Sequence, residues 1–255
     1  MTRPARVDLA FVCGGKYHDI DYARAQLLQL LLELPHVRTR VYADWTDIEA
    51  ITRADAILTY TVDVLPDEEA AERLGASVGS GKRWFALHGT NSTLKYVKGR
   101  GWDAPRSAPV FMQTLGSQFV AHPPIAPYRV EVTEPSHPLV QGIEPFDADD
   151  ELYLSELHGP LTVLLHTTFN GEAPGFIESE WRDDAPRPVM YLKSVGAGEV
   201  LYLTLGHARG HWDMQPMIKD YPTVERGSWK VPAFHELLRR GLRWLVRADA
   251  VAMGD

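Results

Sequence analysis

Residues 8–34, DLAFVCGGKYHDIDYARAQLLQLLLEL, hold a strand signal, a turn signal and a helix signal in direct succession. Val7–Cys13 is a short apolar run, as a buried parallel strand requires. It stops at Gly14-Gly15, and Lys16, Tyr17, His18 and Asp19 follow together. Tyr22–Leu34 then places leucine at 27, 28, 30, 31, 32 and 34, too apolar a pattern for an exposed helix. Strand, tight turn and buried helix open a βαβ unit, and the polar group sits where strand gives way to helix.

The same rhythm continues outward. Val37–Tyr42 alternates apolar and basic residues and reads as a second strand near a sheet edge. DAILTYT (55–61) is a third, PDEEAAERLGASVGSG (66–81) a helix with an acidic start and a glycine-rich stop, and RWFALHG (83–89) a fourth strand. Such alternation predicts a parallel sheet covered on both faces through right-handed crossovers. Proline-dense residues 97–150 predict loops and short extended pieces. YRVEVT (128–133) and LTVLLHTTF (161–169) read as strands, and RPVMYLKSVGAGEVLYLTLGH (187–207) as a hairpin turning at Gly196-Ala197-Gly198. Pro232–Val246 is an amphipathic helix. Strand signals on both sides of the proline-rich stretch argue against a hinge, so residues 1–255 are expected to form one domain.

A chain with 45% hydrophobic and 24% charged residues has an ordinary soluble composition. Its formal charge of -8, with no compensating Lys/Arg cluster, argues against a nucleic-acid partner. Its single cysteine, Cys13, forbids an intrachain disulfide and falls inside the first strand, where a buried inert thiol is expected. The first apolar run is too short for a signal-peptide core, and none approaches the roughly 20 residues that span a bilayer. These features predict a cytoplasmic protein without a membrane partner.

Ligands of open α/β sheets bind outside the carboxyl ends of the strands. His18, His88 and His207 each follow a predicted strand, more than chance scatter of ten histidines would place there. Gly14-Gly15 lacks the spacing of a dinucleotide fingerprint and of a phosphate-binding loop. It serves either as a plain turn or as the edge of a site, and Lys16 either as a solvated charge or as a ligand contact. His88 stands where hydrolases and amidotransferases expose a nucleophile, so thiol chemistry is excluded at that turn. Asp149-Asp150-Glu151 alone reads as a solvated turn or cap. His207 and His211 would share a helix face, but Gly206 and Gly210 oppose a helix there. His122, His158, His166 and His235 have no supporting context, and His137-Pro138 reads as a turn.

Four motifs, VCGGKYHD, WFALHGT, EPSHPLVQGIEPFDADDELY and GAGEVLYLTLGH, resemble in order and spacing those of the ThuA-like (trehalose utilisation) family, over residues 7–246. The resemblance implies a flavodoxin-like, class I glutamine amidotransferase-like three-layer α/β sandwich with a mostly parallel central sheet. It sets His88 at the position of the amidotransferase cysteine and His207 near that of the catalytic histidine, which implies loss of glutamine hydrolysis. The family is connected to disaccharide catabolism, including oxidised 3-keto sugars. The WDAPRSAP loop (102–109) departs from the family pattern and is expected to carry its own specificity.

The preferred reading is an enzyme of carbohydrate metabolism, a sugar-modifying isomerase, lyase or hydrolase. His18, His88, Glu151 and His207 would surround one pocket, and Lys16, Tyr17, Asn91 and Tyr153 would orient sugar hydroxyls. Imidazole suits proton transfer near neutral pH. The same residues could instead hold a divalent metal, and spacing does not choose between the two. The rival reading is a non-catalytic sugar-binding or regulatory domain that stacks a sugar on Tyr17, Tyr60, Trp102, Tyr153 or Trp212. An amidotransferase partner subunit ranks last, and a homo-oligomer is left open.

Overall fold

The computed structural model describes residues 5–247. Its central sheet has nine strands in the order β2 (Val37–Tyr42), β1 (Val7–Gly15), β3 (Ala56–Val62), β4 (Arg83–Leu87), Gly198–Leu203, Pro186–Val195, Thr162–Thr168, Ala126–Val132 and Phe146–Asp150. The first five run parallel. The other four join antiparallel, because the Gly196-Ala197 turn sends the chain straight back where a parallel neighbour would need a crossover. The expected sandwich is present, with its helices concentrated on the parallel half.

Helices α1 (Ile20–Leu31), α2 (Ile48–Arg53), α3 (Glu68–Gly79), α4 (Pro109–Leu115) and α5 (Pro232–Leu245) form the outer layers. The two-residue period of a strand sends alternate side chains to opposite faces. Leu9, Phe11 and Cys13 of β1 therefore join one core with Leu27 of α1 and Phe234 of α5. Ala10 and Val12 join the other with Leu74 of α3 and Phe111 of α4. The Cys13 thiol is fully buried, and burial pushes it up to about 12, which leaves it inert at neutral pH.

Local chemistry sets the element ends. The Asp19 carboxylate accepts the Tyr22 N–H at 3.1 Å and starts α1, as Asp67 accepts the Ala70 N–H at 2.8 Å at the start of α3. Both glycines after β1 are demanded by packing. A Cβ on Gly14 would sit 2.0 Å from the Ala43 carbonyl oxygen, and one on Gly15, whose φ is +131°, would sit 2.1 Å from that of Val62. The proline-rich middle holds one element that its composition hides: α4, with Pro109 in its first turn, where a missing N–H costs nothing. Two short ribbons, Lys95–Val97 with Gly101–Asp103 and Ser117–Ala121 with Leu154–Leu157, wall the sheet's carboxyl edge. Among the described residues no helix is long and apolar enough to cross a membrane.

Candidate functional site

At the carboxyl edge, the residues after β1, β3 and β4 turn abruptly. Tyr17 (φ 67°), Asp63 (φ 57°) and His88 (φ 46°) all take left-handed backbone that side chains disfavour. The strained turn at His88 is held from two sides: Tyr202 Oη donates to its carbonyl oxygen, and its Nδ1 lies 2.8 Å from the Thr204 carbonyl oxygen. Its Nε2 then faces inward.

The turns bring His18, His88, Glu151 and His207 together, with one ligand atom from each inside a 4.8 Å span. All four are buried. His18 Nε2 lies 2.9 Å from His88 Nε2 and 3.2 Å from His207 Nδ1. The Glu151 carboxylate is 3.5 Å from His18 Nε2, 3.5 Å from His88 Nε2 and 3.1 Å from His207 Nδ1.

The outer ring nitrogens explain the inner ones. His88 Nδ1 faces the Thr204 carbonyl, His18 Nδ1 the Lys16 carbonyl at 3.4 Å, and His207 Nε2 the Glu225 carboxylate at 2.7 Å. An oxygen that only accepts requires N–H on the outer nitrogen, so in the neutral rings of His18 and His88 the inner nitrogens present lone pairs to one another. Burial pushes His18 down to about 4 and His88 down to about 3, so both are neutral at neutral pH. His207 is desolvated as well, but Glu151 and Glu225 outweigh that and hold it up to about 9. Glu151, which burial alone would raise, is held well below the usual carboxylate range by His207, His122 and His18.

Two neutral imidazoles aiming lone pairs at each other across 2.9 Å next to a carboxylate form a donor set for a cation. Neighbouring ligands of one ion bound at about 2.0–2.1 Å lie roughly 3 Å apart, and the contacts of 2.9–3.5 Å within the 4.8 Å span are of that size. Histidine nitrogens with a carboxylate suit a divalent first-row metal, and each imidazole is steadied by an outer hydrogen bond of the kind that supports metal ligands. The residues fit such an ion.

Sequence reasoning missed the supporting residues. Asp149 is exposed, but its neighbour Asp150 is a buried clamp rather than a solvated turn residue. Its carboxylate accepts backbone N–H from Glu151 at 2.8 Å, Gly206 at 3.0 Å, His207 at 3.1 Å and Ser228 at 3.0 Å. Glu225 lies in a loop without periodicity, and Arg226 ties that loop to Asp19 at 3.0 Å. Arg209, two residues beyond His207, bonds Glu151 at 3.2 Å and Glu225 at 3.1 Å. His122, which has no supporting context in the sequence, lies 3.8 Å from Glu151. Asp150, beside Glu151, and Arg209, two residues past His207, carried a local signal; Glu225 and His122 carried none.

A cavity of about 270 Å³ opens beside the four residues. Its wall includes His18, Glu151, Tyr17, Tyr153, Trp102 and His122. Of the residues expected to orient sugar hydroxyls, it takes in Tyr17 and Tyr153 but not Lys16 or Asn91. Lys16 extends outward to pair with Asp63 at 2.9 Å, and Asn91 is buried against Ser117 at 2.7 Å. Tyr60 is a core residue bonded to the Gly206 carbonyl, and Trp212 is 66% exposed. His211 turns to the Tyr221 carbonyl at 2.6 Å, with no helix to align it with His207.

The fold recurs in solved structures. A ThuA-like protein from Bacteroides uniformis superposes with a TM-score of 0.65 at 17% identity, covering 96% of this chain and 94% of that one. A ThuA-like protein from Parabacteroides merdae gives 0.62 at 16% identity, covering 95% and 91%. A β-galactosidase from Rahnella sp. contains the same fold in part, with a TM-score of 0.56 at 14% identity over 94% of this chain and 31% of that one. No curated protein matches the sequence. The ThuA family, described as trehalose utilisation, matches residues 10–220, and the chain belongs to this family and with it to carbohydrate metabolism.

Proposed function

We propose that the protein is a metal-dependent enzyme acting on an oxidised (3-keto) sugar or its glycoside, with His18, His88, His207 and Glu151 holding the metal. One observation carries the reading: three inward imidazole nitrogens and a carboxylate within 4.8 Å, with every outer ring nitrogen already engaged. Family membership supplies the link to carbohydrate. A bound divalent ion would supply Lewis acidity toward a sugar carbonyl or hydroxyl.

The chain's own groups supply the rest. His122 points its Nδ1–H to the Pro123 carbonyl at 2.7 Å, which leaves Nε2 on the cavity side, 3.8 Å from the Glu151 carboxylate. It is placed to take the acidic proton beside a sugar carbonyl, as a general base does. The Tyr153 hydroxyl, 3.3 Å from His88 Nε2, stays protonated because burial raises it well above the ordinary phenol value. It can donate to an oxygen bound at the centre. Arg209 pins Glu151, and Glu225 fixes the tautomer of His207.

Elemental analysis of protein purified without chelators, paired with turnover of 3-keto-glycosides, tests the reading. One divalent ion per chain is expected, with activity lost on chelation and restored by the same ion. Metal-free protein with undiminished turnover sinks it.

A further inference from the structure

The wall of the cavity changes character over its length. Its charged groups gather at the histidine end, and they are already engaged: Arg209 with Glu151 at 3.2 Å and with Glu225 at 3.1 Å. The wall also holds Val62, Leu94, Trp102, Phe119, Phe176 and Met214, and Trp102 reaches the rim, where it packs on the exposed Tyr96 at 5.4 Å. Ring contacts make the wall continuous. Tyr17 and Trp102 meet edge to face at 5.5 Å, and Phe119 meets Tyr153 at 4.6 Å and Phe176 at 5.7 Å. The backbone is fixed as well, since the Trp102 N–H reaches the Gly175 carbonyl at 2.7 Å and the Ile177 N–H the Trp102 carbonyl at 2.8 Å. The aromatic wall is thus preformed.

A second sugar placed there would leave hydroxyls facing these side chains without partners, and a buried hydroxyl left unpaired weakens binding. A flat apolar group in the same position buries its faces against rings. We infer that the substrate is a glycoside whose aglycone is aromatic or similarly flat and apolar: the sugar binds at the histidine end and the aglycone lies against Trp102. This substrate class rests on the metal-centred reading above and narrows it.

The test is equilibrium binding of phenyl and methyl 3-keto-glucosides of one anomer to the whole protein, before and after chelation. The phenyl compound is expected to bind roughly tenfold tighter, the scale of one well-buried aromatic contact. That ratio should fall toward one in Trp102→Ala and return in Trp102→Phe. Equal binding of the two compounds by the wild type, with both affinities dependent on metal, overturns the aglycone assignment and leaves the metal reading standing. A phenyl preference that is untouched by chelation does the reverse. Binding of neither compound overturns both.

Discussion

His18 Nε2 and His88 Nε2 lie 2.9 Å apart, although the two residues are separated by 70 positions and follow different strands. Neither ring has a spare proton for that contact, because both outer nitrogens face carbonyl oxygens. The same geometry that is costly without a cation becomes a ligand set with one.

Removal of a ligand should therefore cost metal before it costs fold. His88→Gln and His207→Gln are each expected to lose the stoichiometric ion and to lower turnover of 3-keto-glycosides at least 100-fold. Full activity in both variants would remove these residues from the mechanism.

The centre should also leave a mark on stability. The values for His18 and His88 in the folded protein, about 4 and about 3, lie below the ordinary 6.5. The unfolded chain therefore binds more protons in this window, and stability should fall as pH drops from 6.5 through 4. His207, held up to about 9, acts in the opposite direction: its contribution is complete below 6.5 and disappears as pH climbs through 9. Thermal unfolding of the chelated protein across pH 4–9 should show both limbs, and the acid limb should shrink in His88→Gln.

Glu225 reaches the centre through His207 directly and through Arg209, which also bonds Glu151. Glu225→Gln keeps the shape but weakens the acceptor at His207 Nε2, and metal affinity should drop about 10–100-fold. The Tm should scarcely change when the ion is absent. A competition titration against a chelator of known affinity reads this directly, and unchanged affinity would count against the positioning role.

Asp150→Asn replaces a carboxylate that accepts four backbone N–H groups by an amide that can satisfy fewer of them. A loss of about 3 kcal/mol is expected, read as a fall of several degrees in Tm. Metal affinity should decline with it, because two of those N–H groups belong to Glu151 and His207.

His122→Gln should leave metal content at one ion per chain and lower kcat about 10²–10⁴-fold, the span of a lost general base. Equal losses of metal and activity would instead mark His122 as a support of Glu151.

Much of this protein was legible along the chain. Short apolar runs gave the parallel strands, Gly14-Gly15 marked a turn that packing closes to any side chain, and Asp67 lay in the acidic start read for the helix after β3. His18, His88 and His207 stood out because a parallel sheet sends all its strand ends to one edge. Only the tertiary structure decided the rest. Glu151 was already a candidate from its motif, but Glu225 and His122 come from loops, where no periodicity fixes the direction of a side chain. Lys16 and Asn91 share the motifs of the histidines, yet they leave the cavity because one residue of backbone rotation points a side chain elsewhere. Sequence order set which residues reach the edge of the sheet. Strained turns at Tyr17 and His88, together with the buried Asp150 clamp, decided which of them face one another.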